Sequence, residues 1–226
     1  SADNIRDHRH VTYLLHRIKT TEYGVEVTPT LSFDERGHQK NNISYFVYGA
    51  TGEEEKPQGF YPTVEDFIGE GGSFLIPEAV RTDKKVCLSG TEIQGKEAVG
   101  AIRFEKKTVK PGETISYIML AGLTDRDNDI NKLTKKYRTA IAVKEELEAV
   151  KKHWIDKVNI SFETGDSDVD NYLKWICFQP ELRRIYGCSF SPHHDYGKGG
   201  RGWRDLWQDC LALLIMDPTD VRRMIV

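Results

Sequence analysis

The stretch GKGGRGWRDLWQDCLALL, residues 197 to 214, concentrates side chains able to do chemistry. Arg204 donates hydrogen bonds in a rigid fork, Asp205 and Asp209 accept them, and Gln208 does both. A helix that begins near Trp203 turns about 100° per residue, which sets Asp205, Gln208, Asp209 and Ala212 on one stripe with Arg204 at its border. Leu206, Trp207, Cys210, Leu211, Leu213 and Leu214 fill one broad apolar arc. Periodicity alone fits a surface helix with a wet polar edge equally well. The solvated face at 144 to 152, however, carries Lys and Glu, whereas this stripe carries only Asp and Gln, shorter groups suited to fixed hydrogen bonds. The glycines before it let backbone approach a ligand closely. Trp203 and Trp207 flank it, and aromatic faces beside carboxylates suit a sugar ring, with its apolar C–H faces and hydroxyl edges. For Trp207, plain core packing is an equal reading.

Other chemistries fit less well. Side chains four apart on a helix share a face, with Cβ atoms about 5–6 Å apart, but the carboxylates of a glycosidase flank the scissile bond from different sides. Asp205 and Asp209 are therefore suited to gripping sugar hydroxyls, with Arg204 as donor and partner charge, and an acid for a leaving oxygen must come from elsewhere. GKGGRG is neither a Walker loop nor a dinucleotide fingerprint. His193, His194 and Asp195 are adjacent, and adjacent side chains seldom converge on one ion, so loop hydrogen bonding suits them better than a metal. His8, His10 and His16 are expected on strand surfaces. No cofactor is implied.

The elements that must position this helix fall into two regimes. With 38% hydrophobic and 30% charged residues, the chain can bury a sizeable core. A net charge of -3 offers no field for nucleic acid or an anionic membrane. The longest apolar run, LALLIM, is far short of the roughly 20 residues that span a bilayer. Cys87, Cys177, Cys188 and Cys210 show no CxxC spacing, which favours reduced, buried thiols and a cytoplasmic setting.

Up to about residue 124 the period is two. VTYLLHRI, GVEVTPTLSF, ISYFVYGA, AVGAIRFE and ETISYIMLAGL read as strands of an antiparallel sandwich, with turns at DERG and KPGE. Residues 49 to 78 are rich in Gly and Pro and read as a long ordered loop. Residues 125 to 157 read as one long helical linker, with Ile130, Leu133, Tyr137, Ile141, Leu147, Val150 and Trp154 at helical spacing and Asn128 or Asp129 as its cap. Asp166 and Ser167 open another helix, which Pro180 is expected to kink or split. The third segment, 158 to 226, is helical and reads as the start of a second domain.

At these residues the chain resembles glycoside hydrolase family 94, the inverting β-glucan and disaccharide phosphorylases. GRGWRDLWQDCLALL is similar to the G-[FYW]-R-D-x-x-Q-D signature that opens the family's catalytic domain. DSDVDNYLKWICFQPELRRIYGCSF resembles the first barrel helix with its following loop, and EDFIGEGGSFLIPEAV a loop of the N-terminal sandwich. The resemblance implies a β-sandwich followed by a helical linker and the beginning of an (α/α)6 barrel. It implies that Arg204 and Asp209 hold the glycone sugar, with Asp205 alongside, and that inorganic phosphate is the co-substrate. The family's general acid lies in a later Trp-x-Asp segment, past Val226, so no catalytic acid is expected here. In the family the sandwich loop can reach a neighbouring subunit's site, which for residues 60 to 80 implies a homodimer. The wording around GWRDLWQD favours phosphorylases of β-1,2-linked oligoglucans over those of β-1,4 linkages. A hydrolase on a related helical barrel and a non-catalytic carbohydrate-binding module remain the alternatives.

Overall fold

The computed structural model describes residues 14–34, 37–186, 203–219 and 221–225. The chain divides into two compact units between Glu145 and Glu146.

The first unit is built on antiparallel sheet. Strands β1 (Arg17–Thr20), β2 (Gly24–Val27), β5 (Ile43–Thr51), β7 (Glu92–Gln94) and β9 (Tyr117–Asp125) form a five-stranded sheet in the order β7-β1-β2-β5-β9. Strands β3 (Leu31–Asp34) and β4 (Gly37–Lys40) form a hairpin, and β6 (Gly59–Thr63) pairs with β8 (Ala98–Arg103). Successive side chains of β5 point to opposite faces of the sheet. On one face Tyr48 and Ala50 pack with Tyr23 and Ile130. Elsewhere in the sandwich Ile18 and Val25 pack with Phe60, flanked by Ala98 and Ile102 of β8. At Gly100 a Cβ would lie 2.5 Å from that of Val47, so glycine lets β8 pass close over β5.

Several expected boundaries move. VTYLLHRI yields a strand only from Arg17; His16 precedes it, half-buried, and burial holds its imidazole below the ordinary value. His8 and His10 lie outside the described residues. GVEVTPTLSF is two strands, interrupted at Pro29, which has no N–H to offer a ladder. The loop expected over 49 to 78 contains β6, buried throughout, with Pro62 at the register shift between Tyr61 and Thr63. Two short helices follow, α1 (Val64–Ile68), capped by the Thr63 hydroxyl at 3.1 Å from the Asp66 N–H, and α2 (Glu78–Arg81). KPGE turns as expected, with Gly112 at φ +86° and the Glu113 N–H donating to the Lys110 carbonyl.

The single helix expected over 125 to 157 is broken. Asp129 caps α3 (Ile130–Thr134) by accepting from the Lys132 N–H at 3.1 Å, and a 3-10 turn follows over Lys135–Tyr137. Arg138 then turns into the protein, and Thr139 restarts the helix by accepting from the Ala142 N–H at 3.1 Å, giving α4 (Ala140–Lys157). Asp129 acts as a helix N-cap in the usual way, satisfying an otherwise orphaned donor.

In the second unit α5 (Ser167–Tyr186) runs unbroken through Pro180 and is capped by Asp166, which accepts from the Asp168 N–H at 2.9 Å. Helices α6 (Trp203–Met216) and α7 (Val221–Ile225) complete it. Its core is Val158, Cys210, Leu213, Met216 and Val221, with Cys177 and Phe178 of α5 packed against it. Trp154 meets Phe178 edge-on at 4.5 Å. Only part of the apolar arc expected on α6 is buried: Cys210 and Leu213 face the core, while Trp207, Leu211 and Leu214 are exposed. A helix packed on one side buries the stripe that faces its neighbours, here shifted to include Asp209. Cys87 and Cys177 are half-buried and Cys210 is buried, all as free thiols; Cys188 lies outside the described residues.

Candidate functional site

Helix α6 begins at Trp203, where the glycine-rich stretch ends, and it carries the residues expected to do chemistry. Arg204 and Gln208 are exposed on it. Asp209 is not: at 4% exposure it is among the buried polar residues of the protein. Its carboxylate accepts from Arg183 of α5 through both oxygens, with Nε at 2.7 Å and Nη2 at 2.5 Å. Such a fork-to-fork pair is charge-assisted and fixes orientation as well as distance. Arg183 is itself held from one turn earlier, its Nη1 donating to the Gln179 side-chain amide oxygen Oε1 at 3.1 Å.

The structure thus brings Arg204, Gln208 and Asp209 onto one short helix and adds Arg183 and Gln179 from α5. The side chains of Trp203 and Asp205 lie outside those described, as does the loop with His193, His194, Asp195 and GKGGRG. Trp207 is 44% exposed, which sets aside the core-packing reading for it. Arg183 was not among the expected residues. Its signal is the pair LRR at 182 to 184, two adjacent arginines late in a helix, of which Arg183 reaches α6 and Arg184 the residue after its end.

That second arginine belongs to a charge cluster at the far end of α6. Asp217 accepts from Lys157 at 2.5 Å and from Arg184 Nη1 at 3.0 Å, and Arg184 Nη2 donates to its carbonyl at 2.6 Å. The Lys157 hydrogen bond, then that from Thr219, hold the Asp217 carboxyl well below the usual carboxylate range. A carboxylate so committed to cations tightens the fold; it is not placed to give or take a proton near neutral pH.

Among the described residues no group of three His, Cys, Asp or Glu is arranged to hold a metal ion. Among them, too, no helix is long and apolar enough to cross a membrane. What α6 offers is a set of hydrogen-bonding groups of both polarities, one of them rigidly oriented, which is chemistry for holding a polyhydroxylated ligand.

The family model described as Glycosyl hydrolase 94, supersandwich domain, matches residues 7–140, more than half of the chain. No curated protein matches it.

Proposed function

Because the chain belongs to glycoside hydrolase family 94, we propose that it serves in the inverting phosphorolysis of β-linked gluco-oligosaccharides, with inorganic phosphate as co-substrate and α-glucose 1-phosphate as product. The observation that carries this reading is the family match over the sandwich, joined to a helix α6 that opens directly at the WRD of the signature. On this reading α5 and α6 are the first helices of an (α/α)6 barrel that follows the sandwich and linker. Trp203, Arg204, Asp205, Gln208 and Asp209 grip the glycone sugar. No residue of the chain is assigned as general acid, and no cofactor or metal is required.

The chemistry suits such a grip. Phosphate attacks the anomeric carbon from the face opposite the leaving oxygen, so one acid suffices and no base is needed to activate water. Hydrogen bonds around the ring that strengthen as it flattens toward an oxocarbenium ion supply several kcal/mol, by the usual reckoning for glycosyl transfer. The linkage is β-1,2 or β-1,4. A homodimer in which residues 60 to 80 approach the neighbouring subunit's site, and a cytoplasmic setting, belong to the same proposal.

The test is incubation of the full-length protein with β-1,2- and β-1,4-gluco-oligosaccharides, with and without phosphate. Phosphate-dependent α-glucose 1-phosphate is the expected product, and the substrate that yields it fixes the linkage. Free glucose released without any phosphate requirement would assign the protein to the hydrolases, and binding without turnover to the carbohydrate-binding modules. Arg204→Ala and Asp209→Ala should each abolish glycone binding.

A further inference from the structure

Resting on that reading of Asp209 as a sugar ligand, we infer that Arg183 is the positioning residue of the site, setting the plane in which Asp209 meets the sugar. A carboxylate presents about four lone-pair directions, and the Arg183 fork occupies one on each oxygen. The remaining directions are thereby fixed in space. At 5% side-chain exposure Asp209 has no room to swing to another rotamer, and Arg183, at 21%, is nearly as confined. Gln179 holds the guanidinium from behind, so the chain Gln179, Arg183, Asp209 is aligned end to end. Both helices carrying it are locked by the core in which Cys177 and Phe178 of α5 meet Cys210 and Leu213 of α6. Gln208, next to Asp209, is exposed on the same helix. A lysine at 183 would keep the charge but lose the fork, and with it the plane.

The experiment compares wild type, Arg183→Lys, Asp209→Asn and the double variant, all made in the full-length protein, in phosphorolysis, with rates scaled to the folded fraction from urea melts. Misplacing a reacting contact by about 1 Å costs up to roughly 100-fold, so Arg183→Lys should lower kcat/KM about 10- to 100-fold, mostly in kcat. In the Asp209→Asn background the same lysine should add little, since the two residues act as one unit. Full kcat/KM in Arg183→Lys overturns the inference, as do losses that multiply in the double variant. Should the lysine variant not fold, Gln179→Leu leaves the ion pair in place and should still lower kcat/KM several-fold; wild-type kinetics there overturn it equally. If wild type binds gluco-oligosaccharide without turnover, the phosphorylase reading falls alone, and calorimetry carries the same comparison, with about tenfold weaker binding expected for Arg183→Lys. Wild type that neither binds nor turns over, or Asp209→Asn with full activity, overturns both.

Discussion

Lys157, the last residue of α4, donates to the carboxylate of Asp217, the first residue beyond α6, at 2.5 Å. With Arg184 on the same carboxylate, one acid ties together residues from α4, α5 and the end of α6. Lys157 first, then Thr219, depress the Asp217 carboxyl in the folded state. The sign follows: a carboxyl depressed on folding contributes stability that is complete above its unfolded value, about 3.9, and is lost as pH falls toward the folded one. Asp217→Asn should therefore destabilise by about 1–3 kcal/mol at neutral pH, because it leaves two cations without their acceptor. The gap between wild type and variant in urea melts should hold from pH 8 to 5 and narrow steadily below pH 4. A gap that stays constant down to pH 2 would separate this carboxylate from acid stability.

At the other end of the pH scale the sandwich carries its own sensor. Tyr48 is 2% exposed and donates its hydroxyl to Glu26. Burial first, and then the Glu26 hydrogen bond, push the phenol well above its ordinary value. A raised acid contributes stability that is complete below its unfolded value, about 10, and is lost as pH climbs toward the folded one. The stability of the first unit should fall progressively from about pH 10 upward, read as a urea midpoint that drops with rising pH and as tyrosinate absorbance that appears with loss of strand signal. Tyr48→Phe should be weaker at neutral pH by about 1 kcal/mol and should shed part of this alkaline sensitivity.

How far the sequence discloses all this depends on how local the deciding interaction is. The period of two over ISYFVYGA found β5, because one face of that strand is repeated side chain by side chain. Strand β6 was hidden: GFYPT has no alternation, since every residue is buried, and its proline marks a register shift that only the partner strand β8 defines. The break at Arg138 was hidden for a similar reason. An arginine among lysines reads as a solvated helix face until Tyr23, far off in the chain, and Asn131, seven residues back on the preceding helix, are seen to claim it. At the site, the residue types of α6 were legible from spacing, but Arg183 was not, because its role depends on a contact across 26 positions of chain.

Arg138 offers the sharpest test of the sandwich. Its guanidinium lies 3.7 Å from the centre of the Tyr23 ring and donates from Nη2 to the Asn131 carbonyl at 2.9 Å and the Thr134 hydroxyl at 2.7 Å. It is 3% exposed, so its hydrogen bonds and its stacking replace water almost entirely. A lysine has neither the flat face nor the donor fan. Arg138→Lys should cost about 2–4 kcal/mol, combining a desolvated cation–π contact with lost charge-assisted hydrogen bonds. Denaturant melts reading the loss of strand signal would show it; a cost under about 0.5 kcal/mol, the usual range for a surface change, would mean that the break after Tyr137 is set by Thr139 alone.

Gln208 separates the two uses of α6. Its neighbour Asp209 is buried in the pair with Arg183, so any substitution there disturbs packing and ligand binding together. Gln208 is exposed on the same helix, one residue away. Exposed helix positions outside caps and ion pairs change stability by about 0.5 kcal/mol or less, and alanine is a good helix former. Gln208→Ala should therefore melt like wild type. If α6 grips the glycone, the same variant loses a hydrogen bond in a water-poor site, which costs about 1–1.5 kcal/mol, or roughly tenfold in affinity for a gluco-oligosaccharide. Calorimetric titration beside a urea melt reads both quantities on one preparation. Unchanged affinity at unchanged stability would place Gln208 outside the sugar contact and leave the fixed carboxylate of Asp209 to act with groups from elsewhere in the protein.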